Sequence, residues 1–222
     1  IENAQLYATE RKRVNELVAL NQLTREISQF AHFSELYENS PELVQQRLGY
    51  PAVALWLADG DQLTLQHISG QDQAPRHSLM KIGPNQVLIT QQPVQLSGPL
   101  EERQTIRENK GTPPIQSVIA VPIFRSNKIA GVLSIHAEQA RAFQESDRVV
   151  LETLAMQIET ASERIRLFES SEQEKQRLAA VLNAAADAIL LVDQDKRIQL
   201  VNIAGERLFT DVNTRVGQIL PV

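Results

Sequence analysis

Four histidines, His32, His67, His77 and His136, are the side chains of this sequence best suited to hold a metal or move a proton near neutral pH. No two have the spacing that would put both on one helix face, and there is no cysteine to complete a ligand set. No metal site is expected. Without cysteine, thiolate catalysis, disulfides and thioether attachment of a chromophore are chemically impossible. A lone strand histidine such as His67 reads as a structural or pocket-lining residue. The nine glycines form neither G-x-G-x-x-G nor G-x-x-x-x-G-K, so no loop is built to cradle phosphate. There is no G-x-S-x-G elbow to present a serine nucleophile. Asp193 and Asp195 read as turn residues, and no carboxylate pair suits acid–base work. No catalytic residue is expected.

The composition is globular: 42% apolar and 22% charged. A net charge of -5 with dispersed basic residues gives no broad basic face, so no nucleic-acid partner is expected. No apolar run approaches the roughly 20 residues that cross a bilayer. The longest, Ala184 to Val192, is interrupted by Asp187. The polar start Ile1-Glu2-Asn3 is no signal peptide. A cytoplasmic location without membrane contact is therefore expected. A chain that starts without Met and stops within a pattern at Pro221-Val222 is expected to be a piece of something longer, with any effector outside it.

Residues 2 to about 38 carry apolar positions at helical spacing, Leu6, Leu17, Leu20, Leu23, Ile27 and Phe30. Ser40-Pro41 is expected to cap and start a short helix that ends at Gly49. Ala52 to Ala58 and Gln62 to Ser69 read as a hairpin around Asp59-Gly60. Gly83-Pro84 opens a short helix, Val94 to Leu96 is a short strand, and 97–115 a surface loop. Gln116 to Phe124 and Lys128 to His136 are apolar at nearly every position, the pattern of strands covered on both faces. Ser146 should cap a long connecting helix over 146–186. Its Leu151, Leu154, Ile158, Ala161, Ile165 and Phe168 step by three and four, a seam that asks for a partner helix. A second hairpin, Ala188 to Val192 with Arg197 to Asn202, precedes a short helix, Ala204 to Phe209.

Several of these segments resemble known families. Ser117-Val118-Ile119-Ala120-Val121-Pro122-Ile123, Ile129-Ala130-Gly131-Val132-Leu133-Ser134-Ile135, Phe143, Asp147 and Leu151 to Ile158 resemble the C-terminal half of a GAF domain. The upstream hairpin fits its first half, so the resemblance covers about 14–168. Arg177 to Asp193, Ile198 to Asn202 and Ala204 to Phe209 resemble the opening of a PAS domain over 177–222, incomplete. GAF followed by PAS looks like the input region of a sensor histidine kinase. The catalytic parts of that family are absent from these residues. Asn127-Lys128 with Phe143-x-x-x-Asp147 superficially matches a cyclic-nucleotide motif, but Asn127-Lys128 sits one turn too early and Arg148 replaces the following Glu. Cyclic nucleotide is therefore disfavoured, and a Cys-linked bilin is excluded.

The resemblance implies an α+β fold with an antiparallel sheet of about six strands. Short helices would cover one face and the terminal helices, 1–38 and the long one, the other. It also implies a small-molecule pocket between the sheet and the short helices, lined by Trp56, His67, Val87, Ile89, Ile119 and Val121. The ligand is not specified. Leu17, Leu20, Ile27, Ile158, Ala161, Ile165 and Phe168 are the expected seam of a parallel homodimer. The expected role is non-catalytic signal relay from a ligand or an upstream domain. A ligand-free dimerising spacer, or the input segment of a cyclase or transcription activator, are the alternatives.

Overall fold

The computed structural model describes residues 18–70, 82–98, 115–208 and 216–219. Two compact units divide the chain, Ile1–Ile165 and Arg166–Val222. The first holds helix α1, described over 18–27, then α2 (Phe33–Leu48), β1 (Ala52–Asp59), β2 (Gln62–Gly70), α3 (Ile82–Thr90), β3 (Val94–Ser97), β4 (Ser117–Arg125) and β5 (Lys128–Ala137). The long helix α4 (Glu145–Ala184) begins in the first unit and ends in the second. The second continues with β6 (Leu190–Val192), β7 (Ile198–Val201) and α5 (Ile203–Leu208).

Five strands form one antiparallel sheet in the order β2-β1-β5-β4-β3. The architecture is α+β, with five strands in this sheet among the described residues where the sequence suggested about six. Burial follows position in the sheet. The three central strands are apolar almost continuously and are buried on both faces, whereas edge strand β3 alternates. Val53, Leu55, Ile119, Val121, Leu133 and Ile135 face one layer, where Leu23 and Ile27 of α1, Leu36 and Val44 of α2 and the first turns of α4 close over them. Ala52, Ala54, Trp56, Val118, Ala120 and Val132 face the other, under Val87 of α3. Gly131 permits the β1–β5 pairing: a Cβ there would lie 2.4 Å from the Trp56 carbonyl oxygen.

The helix boundaries differ from the sequence reading for local reasons. The expected helix over 1–38 is broken, and 1–17 lies outside the described residues. α1 ends where Ser28 Oγ donates to the Arg25 carbonyl, and α2 starts after His32, with the Glu35 carboxylate accepting the Ala31 N–H at 3.2 Å. Ser40 is not a cap but an interior residue whose hydroxyl donates back to the Leu36 carbonyl, and Pro41 lies within the same helix. Gly49, at φ 72°, ends it as expected. The first hairpin turns at residues 60 and 61, one position later than the expected pair, because Asp59 still pairs with Gln62. Helix α4 is capped by Asp147 rather than Ser146: its Oδ2 accepts the Gln144 N–H at 2.7 Å, and its Oδ1 accepts from Tyr50 Oη at 3.1 Å.

Candidate functional site

The side chains of chemical interest lie on the sheet face beneath α3. Ser134 and His136 are two apart on β5, so both point to that face, alongside Val132 and away from Leu133 and Ile135. Trp56, on the neighbouring strand, donates its indole N–H to Ser134 Oγ at 3.0 Å. The same oxygen lies 2.9 Å from His136 Nε2 and 3.4 Å from the Ala54 carbonyl oxygen. All three residues are buried.

Burial keeps the His136 ring uncharged. Desolvation pushes the His136 pKa from 6.5 down to about 3, so the imidazole carries no charge near neutrality. Its other nitrogen, Nδ1, is buried and has no hydrogen-bond partner among the described residues. A buried polar atom left unpaired costs about 1–3 kcal/mol, and native folds keep few of them. The flanking cross-strand residues, Ala52 and Val118, have no polar side-chain atom to offer. Among the described residues no group of His, Asp or Glu side chains could hold a metal ion.

The six residues expected to line one pocket do not gather on one face. Trp56 and Val87 do share the layer under α3. Ile119 and Val121 face the opposite layer, packed against the helices, because strand parity puts their neighbours Val118 and Ala120 under α3. His67 pairs with Leu55 on edge strand β2, and Ile89 is 81% exposed at the end of α3. The sequence reading missed Ser134 and passed over His136. The available signal was two polar residues at period two inside an otherwise apolar strand, Val132-Leu133-Ser134-Ile135-His136. A groove of about 420 Å³ lies elsewhere in the first unit, along α1 and α2, lined by Glu26, Phe30, Glu42 and Leu43 among others.

The expected dimer seam is likewise redistributed. Ile27, Ile158, Ala161 and Ile165 are buried within the first unit, against the sheet and one another, and Leu20 packs beside them. Leu17 lies outside the described residues. Phe168, 64% exposed, is the one member of the series left open among the described residues. On the outer side of α4, Val149 and Met156, seven positions apart, are exposed, as is Leu167 further along. The three-and-four step of the seam is therefore the stripe that seats the helix on its own domain.

In the second unit the hairpin is organised by Asn202, which is buried. Its Oδ1 accepts from the N–H groups of Ile189 and Gly205, at 2.8 and 2.9 Å. Its amide donates to the carbonyls of Leu182 and Asp187, both at 2.9 Å. Asp193 folds the turn by accepting from the N–H groups of Arg197 and Asp195, and these bonds, with that of Gln199, hold its carboxyl below the usual range.

The family model that matches the chain is that of the GAF domain, over residues 32–161, more than half of the sequence. No curated protein matches it. Among solved structures, the GAF domain of a phosphoenolpyruvate-protein phosphotransferase from Coxiella burnetii superposes with a TM-score of 0.57 at 19% identity, covering 71% of this chain and 98% of that one. A free methionine-R-sulfoxide reductase from Neisseria meningitidis, in complex with its substrate, gives 0.54 at 21% identity, covering 67% and 89%. Residues 122 to 287 of a methyl-accepting chemotaxis protein give 0.53 at 16%, covering 66% and 98%. These likenesses establish a common fold across proteins of different function.

Proposed function

Because this chain belongs to the GAF domain family, we propose that it is a non-catalytic sensory segment that binds a small molecule between the sheet and α3 and relays its presence along α4. The observation that carries this reading is the buried Trp56–Ser134–His136 network, which ends in a nitrogen without a partner among the described residues, inside the layer under α3. Helix α4 supports the relay: its first turns are core and its last lie in the second unit, so one helix belongs to both. A ligand changes the relay only if it binds two packings of that helix with different affinity.

The hairpin from Leu190 to Val201 with α5 is read as the opening of a PAS domain. The whole is read as the cytoplasmic input region of a two-component sensor histidine kinase, with a cyclase or transcription activator as alternative effectors. It works as a parallel homodimer. Ile158, Ala161 and Ile165 are spent inside the domain, so the contact falls to the outer stripe of α4, Val149, Met156 and Leu167. No helix among the described residues is long and apolar enough to cross a membrane. The likeness to a free methionine-R-sulfoxide reductase carries the fold alone.

Native mass spectrometry of the purified chain tests the reading. A stoichiometric small-molecule adduct that is lost on denaturation supports it. A clean apo mass, together with no response to any added compound, leaves a ligand-free spacer.

A further inference from the structure

The groove along α1 and α2 is built from two short stretches of chain. On α2, Asn39, Glu42, Leu43 and Gln46 fall at spacings of three and four, so one face of the helix supplies them all. Glu26, near the end of α1, and Gln29 and Phe30, in the turn after it, complete the lining. Two contacts hold these stretches in place. The Arg47 guanidinium donates to Glu26 Oε1 at 2.5 Å and ties α2 to α1. Arg164 of α4 donates to the Phe30 carbonyl. The apolar part of the groove is Phe30 and Leu43, both half-buried and packed against the core. The polar part carries two carboxylates. Glu26 has its counter-ion in Arg47. Glu42 has none among the described residues and accepts only from the neutral Gln46 amide, at 2.9 Å.

We propose that this groove binds a small organic cation, a primary ammonium on an apolar body, with the ammonium at Glu42 and the body against Phe30 and Leu43. The volume, about 420 Å³, is that of a small-molecule site. A primary ammonium has three donors and no acceptor, and the groove answers with the Glu42 carboxylate and the amide oxygens of Asn39 and Gln46. The Phe30 ring adds an aromatic surface of the kind that attracts cations. An anion would meet two carboxylates and an arginine that is already engaged. An uncharged ligand would take water from Glu42 and return no charge. No group of His, Asp or Glu side chains among the described residues could hold a bare metal ion. The groove lies on the helix-covered side of the sheet, away from α3, so it is independent of the ligand layer proposed above.

The test uses the whole chain, ¹⁵N-labelled, and three probes of similar size: phenethylammonium, phenethyl alcohol and hydrocinnamate. In ¹H–¹⁵N titrations, phenethylammonium should shift the side-chain amides of Gln29, Asn39 and Gln46 and the backbone amide of Phe30. The alcohol should bind about fivefold more weakly, and hydrocinnamate more weakly still. Glu42→Gln replaces an exposed carboxylate by its neutral isostere and should weaken phenethylammonium about fivefold. Glu38→Gln, on the same helix but outside the groove, should leave its affinity unchanged. Equal losses in the two variants would reduce the effect to the net charge of the chain and overturn the proposal. Equal affinity for the ammonium and either other probe overturns it too, as does the absence of shifts at these four residues. None of these results bears on the layer under α3, which native mass spectrometry tests separately.

Discussion

The buried imidazole should make the fold sensitive to mild acid through one residue. In the folded chain His136 titrates at about 3, against 6.5 when exposed. The folded value is the lower one, so between these limits the unfolded chain holds the extra proton and stability falls as the pH falls. At pH 5 the solution lies 1.5 pH units below the unfolded value and still above the folded one. At roughly 1.36 kcal/mol per unit, protonation of the unfolded chain then favours unfolding by about 2 kcal/mol relative to neutral pH. That is a large share of the 5–15 kcal/mol typical of a domain. His136→Leu removes the titrating group at similar size and cancels this loss, while every other histidine and carboxylate stays in both proteins. The assay is urea unfolding at pH 7.5 and pH 5.0, followed by Trp56 emission. Wild type should lose about 2 kcal/mol more than the variant on acidification. Equal losses would mean that His136 is solvated or partnered in the folded state, and the neutral-imidazole reasoning would fail with it.

Other perturbations separate the packing claims. Ile158→Ala should cost about 2–5 kcal/mol in chemical unfolding and leave the mass by light scattering unchanged, because Ile158 is core rather than interface. Met156→Asp should instead turn a dimer into a monomer with unfolding stability within about 0.5 kcal/mol, since that side chain is exposed in the single chain. A wild type that is monomeric at tens of micromolar removes the homodimer. Asn202→Ala strips the acceptor from the Ile189 and Gly205 amides, whose hydrogen exchange should accelerate without change at β4 and β5.

The layered sheet was legible because period and length are encoded locally. Strands β4 and β5 are apolar at most steps, on both parities, and only a strand covered twice can use that pattern. Which residue of such a strand faces which layer is not encoded in the same way. With no polar alternation on β4, Ile119 and Val118 are equivalent in sequence, and the parity is set by cross-strand pairing to β5, where Ile119 meets Ile135 and Val118 meets His136. The α4 seam was ambiguous for a related reason: Leu151 to Ile165 present the same spacing to a partner helix and to their own sheet. Only the exposure of Val149, Met156 and Leu167 on the far side separates the two. Pro41 misled because its usual place is the first helical turn, while here the helix starts eight residues earlier, at Phe33.

The relay through α4 is the central claim, and hydrogen exchange along that helix tests it most directly. With a bound small molecule at saturation, the account predicts altered protection in β5 and α3 and also in the α4 amides from 166 to 184, beyond the first unit. Changes confined to the sheet and α3, with residues 166–184 exchanging as in the free protein, would contradict it: a ligand would be bound and no signal would leave.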